Sequence, residues 1–194
     1  SAIVRVESVA RERIHRILDL GPEGIMCPRI QTVLEAMAAV QGMHYPPAGI
    51  RGVAKMVRAT GFGKNFDSYR ENTKDLLGII QIESPEALEN LDAIAALDGV
   101  DVLFIGPADL SMALGIFGQL EHPLFTDALE KIVIAARNAG KATGILIFDP
   151  KDFEKYQAMG IQMIACGSDA TFVANGASVL AGQLNTMKNT PGSK

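Results

Sequence analysis

Short apolar runs alternate with amphipathic segments along the whole chain. Continuous apolar runs that end at turn residues predict strands buried on both faces, as in a parallel sheet. Apolar residues at helical spacing, closed by glycine, predict helices between these strands. The predicted strands span residues 1–6, 24–28, 78–83, 101–107, 142–148 and 161–166, and the predicted helices span 10–20, 31–41, 86–97, 125–139, 149–159 and 170–187. An irregular segment is predicted at 45–67.

Six strand–helix repeats without a second-domain signal indicate a parallel α/β sheet, either an open doubly wound sheet or a (β/α)₈ barrel. The nucleotide-binding patterns GxGxxG and GxxxxGK[ST] do not occur, which disfavours the nucleotide-binding open sheets. Acidic residues follow four predicted strands, at the rim where barrel active sites are built: Glu83, Asp109, Asp149 and Asp169. We therefore predict a TIM (β/α)₈ barrel, with six of its eight strand–helix units in this chain.

The predicted barrel forms one domain over residues 1–188, followed by a flexible tail at 189–194. The chain begins inside a predicted strand and without an initiator Met, so we interpret the barrel as N-terminally incomplete. Its first and last strands, at 2–6 and 161–166, would then have open edges that are apolar and lack proline. We expect upstream units in the natural protein, or a second chain that covers these edges.

The composition is that of an ordinary globular domain, with 194 residues, 48% hydrophobic residues and a net charge of −4. The mild acidity, without a Lys/Arg cluster, argues against nucleic acid as a partner. Neither a signal peptide nor an apolar stretch of membrane-spanning length is found, which argues against a membrane. The two cysteines, Cys27 and Cys166, lie in apolar runs, so we expect buried, reduced thiols in a cytoplasmic protein.

Glu83 and Asp109 end two successive apolar runs and are separated by about one strand–helix unit. Adjacent parallel strands end about 4.8 Å apart, so both carboxylates would reach the same rim. Such a pair suits a hard divalent cation. The alternative is that an acidic residue at a strand end caps the next helix, which is our interpretation of Asp149 and Asp169. For Glu83, which Ser84-Pro85 follows, the residues alone leave both alternatives open.

Six short motifs, in order along nearly the whole chain, resemble those of the HpcH/HpaI family of metal-dependent (class II) pyruvate aldolases. Members of this family act on 4-hydroxy-2-oxo acids and on 2-keto-3-deoxy sugar acids. Each motif alone is weak, but six in the same order are specific. The motifs are Ile3-Val4-Arg5-Val6, Met26-Cys27-Pro28, residues 45–52, Gln81-Ile82-Glu83-Ser84, residues 106–111, and Gly167-Ser168-Asp169.

The resemblance implies a (β/α)₈ barrel with a divalent cation, Mg²⁺, Mn²⁺ or Co²⁺, on Glu83 and Asp109. It also implies that the 2-oxo acid chelates this cation, with Gln81 and Arg5 nearby. Arg5 would be catalytic, because a guanidinium stays protonated and offers a fixed fork of donors to the keto and enolate oxygens. Backbone N–H groups of a glycine-rich loop would hold the pyruvate carboxylate. That loop consists of Gly106, Pro107, Ala108 and Asp109.

The implied reaction is that of a lyase, the reversible aldol cleavage of a 4-hydroxy-2-oxo acid to pyruvate and an aldehyde. No lysine stands at a predicted strand end in a recognisable Schiff-base position, which favours metal over covalent catalysis. Two alternatives stay open: a non-catalytic barrel fragment that keeps metal and pyruvate binding, and an acyl-CoA lyase of the same superfamily. The resemblance also implies a homo-oligomer, such as a hexamer, in which C-terminal helices, here residues 170–187, pack across subunits.

This chain departs from the family at its acid/base histidine, which belongs to a unit upstream of residue 1. None of His15, His44 and His122 follows a predicted strand, so we interpret all three as surface or packing residues. Asp19 matches an acidic position that supports that histidine in the family. On its own, Asp19 predicts only a solvated charge at a helix end.

The irregular segment contains the basic residues Arg51, Lys55 and Arg58. They form either a solvated face or an attractive field for an anionic substrate, and we favour the solvated face.

Overall fold

A six-stranded parallel sheet forms the centre of the molecule, in which the order of the strands equals their order in the sequence. The computed structural model describes residues 1–188, except for the side chains of Lys74 and Lys188, so the predicted tail at 189–194 lies outside the described residues. The strands are β1 (Ile3–Arg5), β2 (Gly24–Cys27), β3 (Leu77–Ile82), β4 (Val102–Ile105), β5 (Ala142–Ile147) and β6 (Met163–Cys166).

The sheet curls into half a barrel, with β1 and β6 at its two edges. All six predicted strands are confirmed, and so is the prediction that the first and last strands form the edges of the sheet. The described residues show six strand–helix units, so the other two units of the predicted barrel stay a prediction.

Helices follow each strand, as the sequence predicts for a parallel sheet. No helix within residues 1–188 is both long enough and apolar enough to cross a bilayer. Short 3₁₀ helices occur at Arg58–Thr60, Asn72–Asp75 and Pro150–Asp152. The α-helices are α1 (Arg11–Leu18), α2 (Val33–Met43), α3 (Phe66–Glu71), α4 (Pro85–Glu89), α5 (Leu91–Ala95), α6 (Pro107–Ala113), α7 (Pro123–Asn138), α8 (Phe153–Ala158) and α9 (Asp169–Lys188).

Three predictions of local structure need correction. The predicted helix at 86–97 is interrupted at Asn90, whose side-chain amide donates to the carbonyl oxygens of Gln31 and Glu86 at 3.0 and 2.9 Å. The predicted glycine-rich loop at 106–109 is instead the N-cap, Gly106, and the first turn of α6, because proline at the start of a helix has a suitable φ and needs no intrahelical N–H bond. The irregular segment at 45–67 contains a 3₁₀ turn and the start of α3.

Helix caps decide the role of the acidic residues at strand ends. Ser84 caps α4 with its hydroxyl, which accepts a backbone N–H at 3.2 Å, so Glu83 is not the cap. Asp149 caps the 3₁₀ helix that follows β5, as predicted. The predicted cap at Asp169 is wrong, because Asp169 is the first residue of α9 and the Ser168 hydroxyl accepts the N–H of the first turn at 3.1 Å. Glu83 is therefore free for another role.

The two faces of the sheet have different partners, since successive side chains of a strand point to opposite faces. The convex face packs on the helices and is fully buried, for example at Ile80, Leu103 and Ile145. Each such side chain contributes roughly 1.5–3 kcal/mol by its burial. The concave face has its own small cluster around Ile79, Val102 and Phe104. Because Ile79 faces the concave side, Gln81 of β3 faces it too, and Glu83, the residue that follows β3, continues the same alternation.

Candidate active site

Glu83 and Asp109 lie at the carboxyl ends of two paired strands. Glu83 follows β3, and Asp109 lies in the first turn of α6, directly after β4. The two strands pair up to their last residues, Ile82 and Ile105, so both acids belong to one rim. The Glu83 side chain is buried, with 8% of the residue exposed, whereas Asp109 is exposed. The predicted placement of both acids at the same end of the sheet agrees with this arrangement.

Two donors hold the Glu83 carboxylate. The backbone N–H of Arg29 donates to Oε1 at 2.8 Å, and the side-chain amide of Gln81 donates to Oε2 at 3.1 Å. Burial raises the pKa of Glu83 above its usual value, and the negative charge of Asp109 raises it further. The Arg29 N–H and the charges of Arg5 and Arg29 act in the opposite direction but do not cancel the effect of burial on this pKa.

Gly106 provides the space in which this carboxylate lies. A Cβ atom at position 106 would be 2.6 Å from Glu83 Oε2 and 3.3 Å from Glu83 Cβ. Side chains cannot approach so closely, so only glycine allows the carboxylate to occupy this place. Gly106 has φ −92° and ψ 90°, which any residue can adopt. The requirement for glycine is therefore steric.

The donor set of the site fits a divalent cation. Glu83 and Asp109 supply two carboxylates, and the Oε1 atom of Gln81 is buried without a hydrogen-bond partner in the structure. Mg²⁺ and related cations prefer such oxygen ligands and commonly bind to one or two carboxylates plus water or substrate. Among the described residues, no cluster of three or more His, Cys, Asp or Glu residues could hold a metal. A cation here would therefore rely on the two acids.

Arg5 is the last residue of β1 and belongs to the same rim. Its backbone is in register with Met26, which in turn is in register with Ile79 of the concave face. The Arg5 charge is close enough to Glu83 to lower the pKa of that acid. The structure thus brings together Arg5, Gln81, Glu83 and Asp109, while Gly106, Pro107 and Ala108 form the start of α6 beside them.

Arg29 is a residue of this site that the sequence analysis missed. It follows Pro28 after β2 and has φ 55°, in the left-handed region that residues other than glycine rarely adopt. Its guanidinium Nη2 donates to the Glu7 carbonyl oxygen at 2.7 Å, which connects the segments after β1 and β2. The order of the strands could have indicated this residue. Arg29 follows β2, which lies between β1, with Arg5, and β3, which Glu83 follows.

Each of the three histidines lies in a helix or next to a helix end rather than at a strand end. His15 lies in α1, and its Nδ1 accepts the Gly52 N–H at 3.4 Å. His122 caps α7. His44 follows α2 and is partly buried. Burial lowers the pKa values of His15 and His44 below the usual value of histidine.

The predicted solvated face of the irregular segment is wrong for Arg51. It is 2% exposed and lies between two aromatic rings, with its guanidinium carbon 4.7 Å from the Tyr45 ring centre and 5.2 Å from that of Tyr69. Its Nη2 atom lies 3.3 Å from Asp19 Oδ1. Arg51 is therefore neither a solvated charge nor part of the candidate site, and Asp19 is an ion-pair partner rather than a merely solvated charge.

Lys55 and Arg58 agree with the predicted solvated face, because both are exposed. The Lys55 ammonium also lies 5.0 Å from the centre of the Phe66 ring.

A family profile described as HpcH/HpaI aldolase/citrate lyase matches residues 1–176. The chain belongs to this family. A curated relative, the 4-hydroxy-2-oxo-heptane-1,7-dioate aldolase of Salmonella dublin, is 38% identical over 181 residues, which is 93% of this chain and 69% of the relative. The resemblance found in the sequence is confirmed. The HpcH/HpaI relatives of the chain are named as aldolases, which are aldehyde-lyases, and dependence on a divalent metal is general in the family.

Solved HpcH/HpaI structures have the same fold as this chain. An HpcH/HpaI aldolase/citrate lyase family protein from Burkholderia cenocepacia J2315 is 33% identical with a TM-score of 0.87, over 94% of this chain and 73% of that protein. The HpcH/HpaI aldolase from Desulfitobacterium hafniense DCB-2 is 34% identical with a TM-score of 0.86, over 100% of this chain and 74% of that protein. The curled parallel sheet is therefore a feature of the HpcH/HpaI fold.

Proposed function

We propose that the protein is a lyase that reversibly cleaves a 4-hydroxy-2-oxo acid to pyruvate and an aldehyde with the help of a divalent cation. The observation that carries this proposal is the Glu83 carboxylate, buried at a strand end, fixed by two donors and close to Asp109. Membership of the HpcH/HpaI family and the name of the Salmonella relative support the same reaction class.

Glu83 and Asp109 would hold the cation, which in this proposal is Mg²⁺, Mn²⁺ or Co²⁺. When bound, the cation supplies Lewis-acid polarisation of the 2-oxo group, an effect worth several kcal/mol. The donors on Glu83 support this role, because a carboxylate whose oxygens are already oriented loses less freedom when it becomes a ligand.

Arg5 would stabilise the charge that develops during cleavage. As the C3–C4 bond breaks, its electron pair moves into the enolate of pyruvate, the 4-hydroxyl group gives its proton to solvent water, and the aldehyde leaves. The enolate then takes a proton from water and becomes pyruvate. The guanidinium of Arg5 presents fixed donors to the oxygen that gains charge, which lowers the energy of the transition state more than that of the bound substrate.

The first turn of α6 would bind the carboxylate of the 2-oxo acid. The first N–H groups of a helix have no partner inside the helix, and in α6 the intrahelical bonds begin with Leu110, which donates to the Gly106 carbonyl at 2.9 Å. The N–H groups of Ala108 and Asp109 are therefore available, whereas Pro107 has none. This differs from the glycine-rich loop of the sequence prediction and leaves two of its four residues as donors, because the Gly106 N–H donates to the Ile82 carbonyl oxygen at 3.4 Å.

Removal of one carboxylate at a time tests the metal site. Glu83→Gln and Asp109→Asn each remove one anionic ligand, so the affinity for Mn²⁺ measured by calorimetry should fall about tenfold or more. Asp127→Asn on α7 is the matched control, because it removes an exposed carboxylate that the proposal does not use. Unchanged Mn²⁺ affinity in both site variants would refute the proposed site.

The family description also includes citrate lyase, so a substrate of the citrate or acyl-CoA class is the second candidate. Direct product analysis separates the two classes. Release of pyruvate from a 4-hydroxy-2-oxo acid supports the aldolase, whereas cleavage of a citrate-type substrate without pyruvate release supports the second candidate. Tight Mn²⁺ binding without turnover of either substrate class would support the non-catalytic barrel.

We also propose a homo-oligomer that buries α9. This helix is exposed along its length and presents several large apolar side chains to solvent: Phe172, Val173, Val179, Leu180, Leu184 and Met187. Leu180→Asp should therefore lower the sedimentation coefficient of the protein, whereas Asn185→Asp on the same helix should not. A wild-type protein that sediments as a compact monomer would contradict this proposal.

A further inference from the structure

We propose that Arg29 is a positioning residue whose backbone N–H holds the Glu83 carboxylate in the orientation that binds a divalent cation. The inference rests on the proposed function, since it assigns a role to Arg29 only if Glu83 is a ligand. Arg29 itself would contact neither the cation nor the substrate.

The two oxygens of Glu83 are held from different strands. Oε1 accepts the Arg29 N–H at 2.8 Å, from the segment after β2, and Oε2 accepts the Gln81 amide at 3.1 Å, from β3 itself. With both bonds in place, the plane of the carboxylate is fixed. Gln81 alone would leave the carboxylate free to rotate about that one hydrogen bond, so the Arg29 N–H determines its orientation.

The backbone of Arg29 has an unfavourable conformation that this role requires. Its φ of 55° brings an L-residue into the left-handed region, where Cβ crowds the backbone. The side chain compensates, because Nη2 donates to the Glu7 carbonyl at 2.7 Å and anchors the residue to the segment after β1. Unfavourable backbone conformations of this kind persist where the surrounding contacts enforce them, and they concentrate at functional sites.

The charge of Arg29 and its backbone N–H should have opposite effects on the affinity for a cation. A guanidinium near a cation site repels the cation, so removal of the charge alone should strengthen cation binding. Loss of the N–H that orients a ligand should weaken cation binding, typically about 10- to 100-fold for groups that orient metal ligands. The sign of the change in affinity therefore separates the two roles.

Calorimetric titration of the protein with Mn²⁺ tests the proposal. Arg29→Ala removes the anchor and leaves the left-handed backbone unsupported, so its Mn²⁺ affinity should fall about tenfold or more. Arg29→Gly removes the same charge and anchor but tolerates positive φ, so it should bind Mn²⁺ more tightly than Arg29→Ala. Arg29→Lys keeps a donor for the Glu7 carbonyl and should bind like the wild type. Arg16→Ala, at an exposed position on α1, is the charge-matched control and should not change the affinity.

Two results would overturn the proposal: unchanged or tighter Mn²⁺ binding by Arg29→Ala, or binding by Arg29→Gly that is no tighter than that of Arg29→Ala. Failure of the proposed function gives a different result, namely no Mn²⁺ binding by the wild type. In that case the metal-free protein still tests the hydrogen bond by NMR. The amide proton of residue 29 should resonate downfield in the wild type and in Arg29→Gly, and should shift upfield in Arg29→Ala and in Glu83→Gln. An amide shift that Glu83→Gln leaves unchanged would contradict the hydrogen bond itself.

Discussion

Gly106→Ala is the substitution whose effect the structure defines most clearly. The backbone of Gly106, with φ −92° and ψ 90°, accepts alanine without strain, so only the added methyl group matters. This methyl would lie 2.6 Å from Glu83 Oε2, about 0.8 Å closer than the 3.4 Å at which ordinary contacts begin. The carboxylate must therefore move away from β4.

The cost follows from the hydrogen bonds of Glu83. A displacement of this size breaks the 3.1 Å bond from the Gln81 amide, and a hydrogen bond to a charged group is worth about 1.5–3 kcal/mol. The reduced entropy of the unfolded chain returns about 0.4–1 kcal/mol when glycine is replaced by alanine. We therefore expect the free energy of unfolding to fall by about 1–2 kcal/mol. The affinity for Mn²⁺ should fall about tenfold or more, because Glu83 leaves its oriented position.

Urea unfolding followed by circular dichroism measures the first quantity, and calorimetric titration with Mn²⁺ measures the second. Gly176→Ala is the matched control, since a Cβ at position 176 of α9 would meet no atom within 4 Å. This control should leave the Mn²⁺ affinity unchanged and should not lower the free energy of unfolding, because alanine is the better helix former.

A double-mutant cycle shows whether the reasoning is correct. In a Glu83→Ala background the displaced carboxylate does not exist, so Gly106→Ala should cost less than about 0.5 kcal/mol there. An equal cost in both backgrounds would show that Gly106 is needed for a reason other than the space it leaves for Glu83, and would refute the argument.

Three further predictions concern other groups. Arg5→Lys keeps the charge but loses the fork of donors, so kcat should fall about tenfold or more while KM for the 2-oxo acid changes little; an unaffected kcat would assign Arg5 to structure. Burial raises the pKa of Glu83 in the folded protein above its usual 4.5. The free energy of unfolding of the metal-free protein should therefore fall as pH rises from 4.5 through the raised pKa. Urea titrations should accordingly show Glu83→Gln to be more stable than the wild type at neutral pH, with the difference vanishing below pH 4.5, and a constant difference would contradict this. Cys27 is buried as expected, but the expected burial of Cys166 is wrong, because Cys166, the last residue of β6, is exposed. Burial raises the pKa of the Cys27 thiol to about 12, so a thiol reagent at pH 8 should label only Cys166 in the native protein and both cysteines in urea.

The sequence was most informative where burial alone decides the structure. All six strands were predictable, because strands buried on both faces are continuous apolar runs whatever their neighbours are. The break at Asn90 was not predictable, since it depends on a hydrogen bond to Gln31, which is 59 residues away in the sequence. The helical turn at 106–109 was mistaken for a loop because the glycine before it and the following residues match both structures.

Some residues of the candidate site could likewise be predicted from the sequence, and others could not. Glu83 and Asp109 could be proposed from their positions at strand ends, and the family motifs added Arg5 and Gln81. The role of Arg29 depends on a left-handed backbone that no residue type announces, since arginine rarely has positive φ. The burial of Arg51 depends on Tyr69, and a basic residue in an irregular segment is ordinarily solvated.

The sequential order of the strands bears on how the protein is made. In the described residues, each strand pairs only with the strand before it and the strand after it in the sequence. As the chain leaves the ribosome at about 5–20 residues per second, each new strand meets an edge that its predecessor has already formed. Among these six strands, none has to wait for a distant part of the chain or to insert between two others. The direction of translation is therefore also a direction in which this sheet can grow, and folding can keep pace with synthesis.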